Sequence, residues 1–341
     1  MRLLNRVNEL LSVHLIRNLV RVTASAVLSS PRYQSYRPNL YQLVSRPTFT
    51  GYWILQSSFT DPQPPKNSDV TIFYLHGGGY NTSQPSTYLI FLLRIAESVL
   101  AQGLTLSIFA LDYHLAPEHV YPTQLNEARA AYGYLLQEME ISPSKVVIAG
   151  DSAGGHLALS LLVDIQQRQQ QPANQRPAHP ALTKPEGLVL ISPWLSLHHA
   201  REPSINNDVL TAPFLLTTAK NFLGPNTATA PTSPFLEFLN SQPPTDWDSV
   251  LPSWTWVSAG TNEIMFTDIA SWTHRLERDP RLGRGRVGYR WGEGEVHVWQ
   301  WLATIDEGAR TRFLDKEGEC DDFKGVVEIG RVVADRVLAR M

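Results

Sequence analysis

Residues 145–159 read Lys145-Val146-Val147-Ile148-Ala149-Gly150-Asp151-Ser152-Ala153-Gly154-Gly155-His156-Leu157-Ala158-Leu159. The β-branched run predicts a strand, and His156-Leu157-Ala158-Leu159 opens a helical pattern. Between them lies Gly150-Asp-Ser-Ala-Gly154, a G-x-S-x-G pattern. A strand that turns into a helix this sharply crowds its own backbone, so glycines flank the serine. The turn lifts the Ser152 hydroxyl above the sheet edge, beside a helix N-terminus whose dipole favours developing negative charge. A tight turn with an incidental serine is the plain alternative; the strand before and helix after favour a nucleophile.

The same rhythm extends outward. Apolar, nearly charge-free runs at Tyr52–Gln56, Val70–Leu75, Leu104–Ala110, Leu188–Ile191, Thr255–Ser258 and Val287–Trp291 predict strands buried on both faces. Helical patterns near 87–101, 124–139, 153–168, 267–277, 299–307 and 325–339 alternate with them. This is the mark of an α/β protein with a mostly parallel sheet. Two stretches break the alternation. Gln166 to Pro180 is rich in Gln and Pro and reads as an exposed loop. Residues 196–250 have no clear strand and carry Phe214, Phe235 and Phe238 among Pro, Asn and Thr; such a long insertion reads as a lid.

A second glycine run, His76-Gly77-Gly78-Gly79-Tyr80, follows the Val70–Leu75 strand directly. Its unobstructed amides at Gly77 and Gly78, with that of Ala153, can donate to an oxyanion. No Lys-Ser/Thr pair follows, which excludes a phosphate-binding P-loop. A serine nucleophile on such a turn takes its acid and base later in the chain, in that order. His297, after the last strand and the turn Gly292-Glu293-Gly294-Glu295-Val296, is the best-placed base. His274 falls inside a helix, and His198 and His199 precede the acid. Glu263, in the loop after Thr255–Ser258, is the preferred acid, with Asp268 as the alternative. A carboxylate there can hold the imidazole tautomer and stabilise the imidazolium.

The 341 residues carry 29 basic and 32 acidic side chains, a net charge of −3, with no block that points to nucleic acid. Cys320 stands alone, which excludes an intramolecular disulfide and fits a reducing compartment. At the N-terminus, Leu4, Val7, Leu11, Leu15, Leu19 and Val22 recur at helical spacing among Arg2, Arg6, Arg17 and Arg21. The arginines interrupt any membrane span or secretory core. A helix packed on the domain is expected, with a transit peptide or peripheral membrane contact as alternatives. An intracellular, cytoplasmic location is the expectation, with membrane association or organelle targeting through the N-terminal helix as the alternatives. Asn81-Thr82-Ser83 is a formal glycosylation sequon whose place beside the glycine run argues against modification.

His76-Gly-Gly-Gly, Asp112-Tyr-His-Leu-Ala-Pro-Glu-His119 and Gly150-Asp-Ser-Ala-Gly-Gly together resemble the hormone-sensitive-lipase family of esterases, which includes arylacetamide deacetylases and fungal steryl acetyl hydrolases. The resemblance spans roughly residues 70–305. It implies the α/β-hydrolase fold, a lid built partly from N-terminal helices (residues 1–50), a catalytic domain over 51–341, and ester hydrolysis without metal or organic cofactor. By position it implies Ser152 as nucleophile, Gly77, Gly78 and Ala153 as oxyanion donors, Glu263 as acid and His297 as base. Asp151 and Glu118 belong to the same motifs and read as loop ties. His114 stands where the usual motif has Arg, which removes a fixed cation from that turn. A small hydrophobic ester, such as an acetyl ester of a lipid or secondary metabolite, is the expected substrate. Amide cleavage, acyl transfer and a non-catalytic binding role remain alternatives on the same scaffold.

Overall fold

All seven stretches expected as strands are strands. The computed structural model describes residues 23–171, 182–198, 208–228, 230–239, 245–315 and 323–341. Its strands are β1 (Gln42–Arg46), β2 (Phe49–Leu55), β3 (Val70–Leu75), β4 (Leu106–Leu111), β5 (Val146–Asp151), β6 (Gly187–Ile191), β7 (Trp254–Gly260) and β8 (Val287–Gly292). They form one sheet in the order β1-β2-β4-β3-β5-β6-β7-β8. β1 and β2 pair antiparallel with their neighbours, and the rest are parallel.

The central strands bury both faces, and successive residues serve opposite layers. Phe73 and Leu75 of β3 join one core cluster, while Ile72 and Tyr74 join the other; Val146 and Ile148 of β5 likewise oppose Val147 and Ala149. This is why these runs show no polar alternation. Helices α1 (Ala24–Leu28), α2 (Leu89–Leu100), α8 (Trp299–Ile305), α9 (Glu307–Asp315) and α10 (Lys324–Leu338) contribute to one layer. Helices α3 (Thr123–Gln137), α4 (Ala153–Gln170), α5 (Ala212–Leu223), α6 (Trp247–Val250) and α7 (Phe266–Arg278) contribute to the other.

Three expectations need correction. β1 lies in the sheet, so the stretch 1–50 is not helical throughout: the sheet begins at Gln42. Its sequence, Gln-Leu-Val-Ser-Arg, is short and mostly exposed, as suits an edge strand ending in a charge. Next, α4 continues to Gln170, so the Gln-rich loop starts later than Gln166. The insertion also holds a regular helix, α5. The Thr211 hydroxyl caps it by accepting from the Phe214 amide at 3.3 Å, Pro213 sits in its first turn, and Gly224 stops it at φ 52°. The N-terminal amphipathic pattern up to Val22, the stretch 172–181, His199 and Cys320 lie outside the described residues. Among the described residues, no helix is long and apolar enough to cross a membrane.

Parallel pairing brings the strand C-termini to one edge. Leu75 is level with Gly150, Asp151 with Ile191, Ile191 with Ser258, and Gly260 with Gly292. The glycine run, the serine turn and the acid and base loops all leave from that edge.

Candidate active site

Ser152 sits at φ 51°, ψ −117°, a conformation that costs an L-residue on the order of 1–3 kcal/mol and persists only where the surroundings fix it. Several contacts fix it. Its amide donates to Ile191 O at 2.9 Å, and its carbonyl accepts from Trp194 N at 3.0 Å and His156 N at 3.1 Å. The flanking glycines are sterically required. A Cβ on Gly154 would stand 1.9 Å from the Leu75 carbonyl, and one on Gly150 2.5 Å from the Gly154 carbonyl.

His297 Nε2 lies 2.9 Å from Ser152 Oγ, and both residues are buried. Behind it, His297 Nδ1 faces Glu263 Oε1 at 3.8 Å. The other carboxylate oxygen, Oε2, accepts from Ser192 Oγ at 2.6 Å and Gly260 N at 3.0 Å. Burial pulls the His297 imidazole towards its neutral form, but the Glu263 carboxylate, helped by Asp208 and Asp151, outweighs it and raises the pKa. Of the alternatives, Asp268 lies in the first turn of α7, and His274 sits on an exposed helix face beside Glu277 and Tyr289. The structure thus brings Ser152, His297 and Glu263 together, and leaves His274 apart.

The glycine run departs from expectation at one position. The Gly77 amide donates to Asp151 Oδ1 at 2.8 Å, so it is already committed and cannot serve an oxyanion. Asp151 is wholly buried and also accepts from Tyr74 OH at 2.7 Å and Tyr88 OH at 2.8 Å. Burial pushes its carboxyl up to about 6 against these three donors. It ties the serine turn to the glycine run, the structural part expected of it. Gly78 (φ 100°) and Gly79 (φ 60°) then turn left-handed. With Gly77 committed, Gly78, Gly79 and Ala153 at the start of α4 are left as the candidate donors, shifted by one residue along the glycine run from the expected set.

His76 Nδ1 contacts the Gly77 carbonyl at 2.8 Å, and its ring stacks on Tyr113 at 4.1 Å. Burial drives its pKa down to about 4, so it stands neutral as a prop for the loop. The insertion closes over the run: Asn81 Nδ2 donates to Gly79 O at 2.7 Å and Thr218 O at 3.1 Å, and Tyr80 stacks on Phe222 at 3.7 Å. Asn81 is fully buried, which closes the sequon to modification. Phe238, one of the three phenylalanines of the insertion, is a core residue against His156 and Trp247. At the turn after β4, His114 contacts the Glu127 carboxylate, whose Oε2 also accepts His114 N at 2.9 Å, so histidine anchors this turn where arginine is usual.

Two residues with no role in the sequence reading complete the surroundings. Ser192, at φ 45° just past β6, donates to Glu263 and accepts from Val298 N at 3.1 Å. Asp208, buried in the insertion four residues before α5, accepts from the amides of His297 and Ile264. The place of Ser192 at a strand end was a faint signal; Asp208 had none. No cluster of three His, Cys, Asp or Glu side chains suited to a metal occurs among the described residues.

A family described as α/β hydrolase fold matches residues 72–301. The chain belongs to it. Among its relatives, an esterase of Acinetobacter venetianus is 28% identical over 257 residues, covering 72% of this chain and 76% of that protein. An acetyl-hydrolase of Streptomyces hygroscopicus is 28% identical over 256 residues, 73% of this chain and 74% of that one. The fold of a hormone-sensitive lipase from a metagenome library superposes with a TM-score of 0.68 at 22% identity, over 98% of this chain and 96% of that one. The resemblance drawn from the three motifs meets its counterpart here: this α/β hydrolase has the hormone-sensitive-lipase type of fold.

Proposed function

We propose that this α/β hydrolase cleaves carboxylic esters through an acyl-enzyme on Ser152. The observation that carries the reading is the 2.9 Å contact between Ser152 Oγ and His297 Nε2 on a strained strand-to-helix turn, with Glu263 behind the imidazole. The esterase and acetyl-hydrolase relatives support the substrate class.

In this reading an ester carbonyl enters between Ser152 and the amides of Gly78, Gly79 and Ala153. His297 Nε2 takes the serine proton as Oγ attacks the carbonyl carbon, and the negative charge passes to the carbonyl oxygen under those amides. Collapse expels the alcohol, which takes the proton from His297. Water, deprotonated by the same imidazole, then releases the acid and regenerates Ser152. Glu263 stabilises the imidazolium without taking its proton. The insertion acts as lid, because α5 lies over the glycine run through Thr218 and Phe222.

The test is a panel of p-nitrophenyl esters from acetate to octanoate, with matching anilides, on wild type and Ser152→Ala, alongside fluorophosphonate labelling. Ester turnover and labelling that both vanish in Ser152→Ala bear the reading out. Turnover that survives in a folded Ser152→Ala protein overturns it, and preference for the anilides moves the reaction to amides.

A further inference from the structure

The loop carrying the acid and the loop carrying the base are stitched together at two levels. Nearer the sheet, backbone bonds do the work: Thr261 N donates to Gly292 O at 2.9 Å and Asn262 N to Glu295 O at 2.9 Å. At the level of the reacting side chains, no direct backbone bond joins 263–264 to 297–298 among the described residues. Two side chains bridge the gap instead. Ser192 links Glu263 Oε2 to Val298 N. Asp208 is the other bridge: Oδ2 accepts from Ile264 N at 2.8 Å, and Oδ1 accepts from His297 N at 3.0 Å and Val209 N at 2.7 Å. Ser192 belongs to the end of β6, but Asp208 belongs to the insertion, four residues before α5.

We propose that Asp208 is a positioning residue that holds the His297 loop against the Glu263 loop, so that seating of the insertion sets the alignment of the base. The inference rests on the serine-hydrolase reading above. A carboxylate suits the place because it faces three amide donors and has no proton of its own to set against them. It also adds negative charge beside an imidazole that already faces Glu263 from the β7–α7 loop and Asp151 from the end of β5. Ser152, which contacts the imidazole directly, is neutral. The insertion thereby touches both halves of the site: Thr218, held by Asn81, at the glycine run, and Asp208 at the base.

Asp208→Asn keeps the shape but sets an amide donor against one of the backbone donors. Misplacement of a reacting group by about 1 Å costs on the order of 100-fold. The expected result is a 10- to 100-fold fall in kcat for p-nitrophenyl butyrate with little change in KM, and a fluorophosphonate labelling rate reduced in parallel. The acid limb of the rate profile also moves to lower pH, because a negative charge beside the imidazolium is gone; loss of packing alone would leave that limb in place. A folded Asp208→Asn protein within twofold of wild type, with the limb unmoved, overturns the inference. Wild type that does not label at Ser152 overturns the serine-hydrolase reading instead.

Hydrogen exchange on the wild type covers the case in which the variant does not fold. The amides of 296–300 should open together with segment 208–223 as mild denaturant is added. Independent opening of the two segments overturns the coupling.

Discussion

Within β5, Val146–Ala149 present only apolar side chains to two cores, and their backbone runs in plain parallel register with β3 and β6. Three residues past Ala149 the same chain holds a fully buried carboxylate behind it and a serine at φ 51°. The contrast repeats along the sheet. β6 is apolar up to Ile191 and is followed by Ser192 at φ 45°; β8 leads through its turn to Val298 at φ 48°. Of the non-glycine residues held at positive φ, Tyr80, Ser83, Ser152, Ser192 and Val298 all lie on loops that leave this edge, while the interior supplies the burial that holds them there. A regular, close-packed interior is stiff enough to impose conformations that its edge would not otherwise adopt.

That comparison breaks most sharply at Gly154. A methyl there would meet the Leu75 carbonyl at 1.9 Å and the His76 carbonyl at 2.6 Å, both backbone atoms that cannot step aside. Gly154→Ala should abolish ester turnover and lower stability by about 3 kcal/mol or more, read from turnover assays and denaturant melts. At Gly103, far from this edge, the φ is 78° but the space is open. Gly103→Ala should cost about 1 kcal/mol from strain alone and leave turnover intact. Equal losses at both sites would end the distinction.

Glu263→Gln probes charge at the edge without changing shape. It should cut kcat by about 100- to 10,000-fold, since the imidazolium loses its partner and its tautomer is no longer fixed. The wild-type rate should rise with pH through a midpoint above the ordinary imidazole value of about 6.5, because the surrounding carboxylates hold the His297 proton. In Glu263→Gln the residual rate should rise through a lower midpoint. A midpoint that moves upward instead would contradict the charge argument. Asp151→Asn is milder: one of the three donors on Asp151 loses its acceptor, at a cost of about 1–3 kcal/mol in a thermal or denaturant melt, with turnover falling as the glycine run loosens. The smallest change is His114→Arg, which restores the usual residue opposite Glu127 at a half-exposed position. It should add no more than about 1 kcal/mol to the melt and leave kcat unchanged.

The interior was largely legible. Burial on both faces leaves uninterrupted apolar runs, and Val70–Leu75 was bounded at its true ends for that reason. β1 was not legible because an edge strand needs neither a run nor strict alternation. α5 was missed although its signals were present: the Thr211 cap, Pro213 in the first turn and Gly224-Pro225 beyond. The surrounding Asn and Thr residues obscured a period that Leu215, Ala219 and Phe222 keep. At the edge, motif spacing singled out Ser152 and His297, which lie 2.9 Å apart. It failed for Gly77, because three adjacent glycines are alike in sequence and only the contact with Asp151 tells them apart. Asp208 was invisible because it acts on backbone amides, and these leave no trace in residue types.

The bond from Asn81 to both the Gly79 carbonyl and the Thr218 carbonyl has a consequence for how such an enzyme can change. In the proposed reading the insertion is the lid, and there a lineage would alter substrate preference. Yet the same helix is fastened to the turn that presents the amides. A substitution in α5 chosen for a bulkier acid or alcohol would therefore be inherited as a change in rate as well. Selection on preference and selection on speed fall on one helix, so a new specificity in this scaffold would arise in paired steps, with Asn81 and its neighbours changing alongside the residues that meet the substrate.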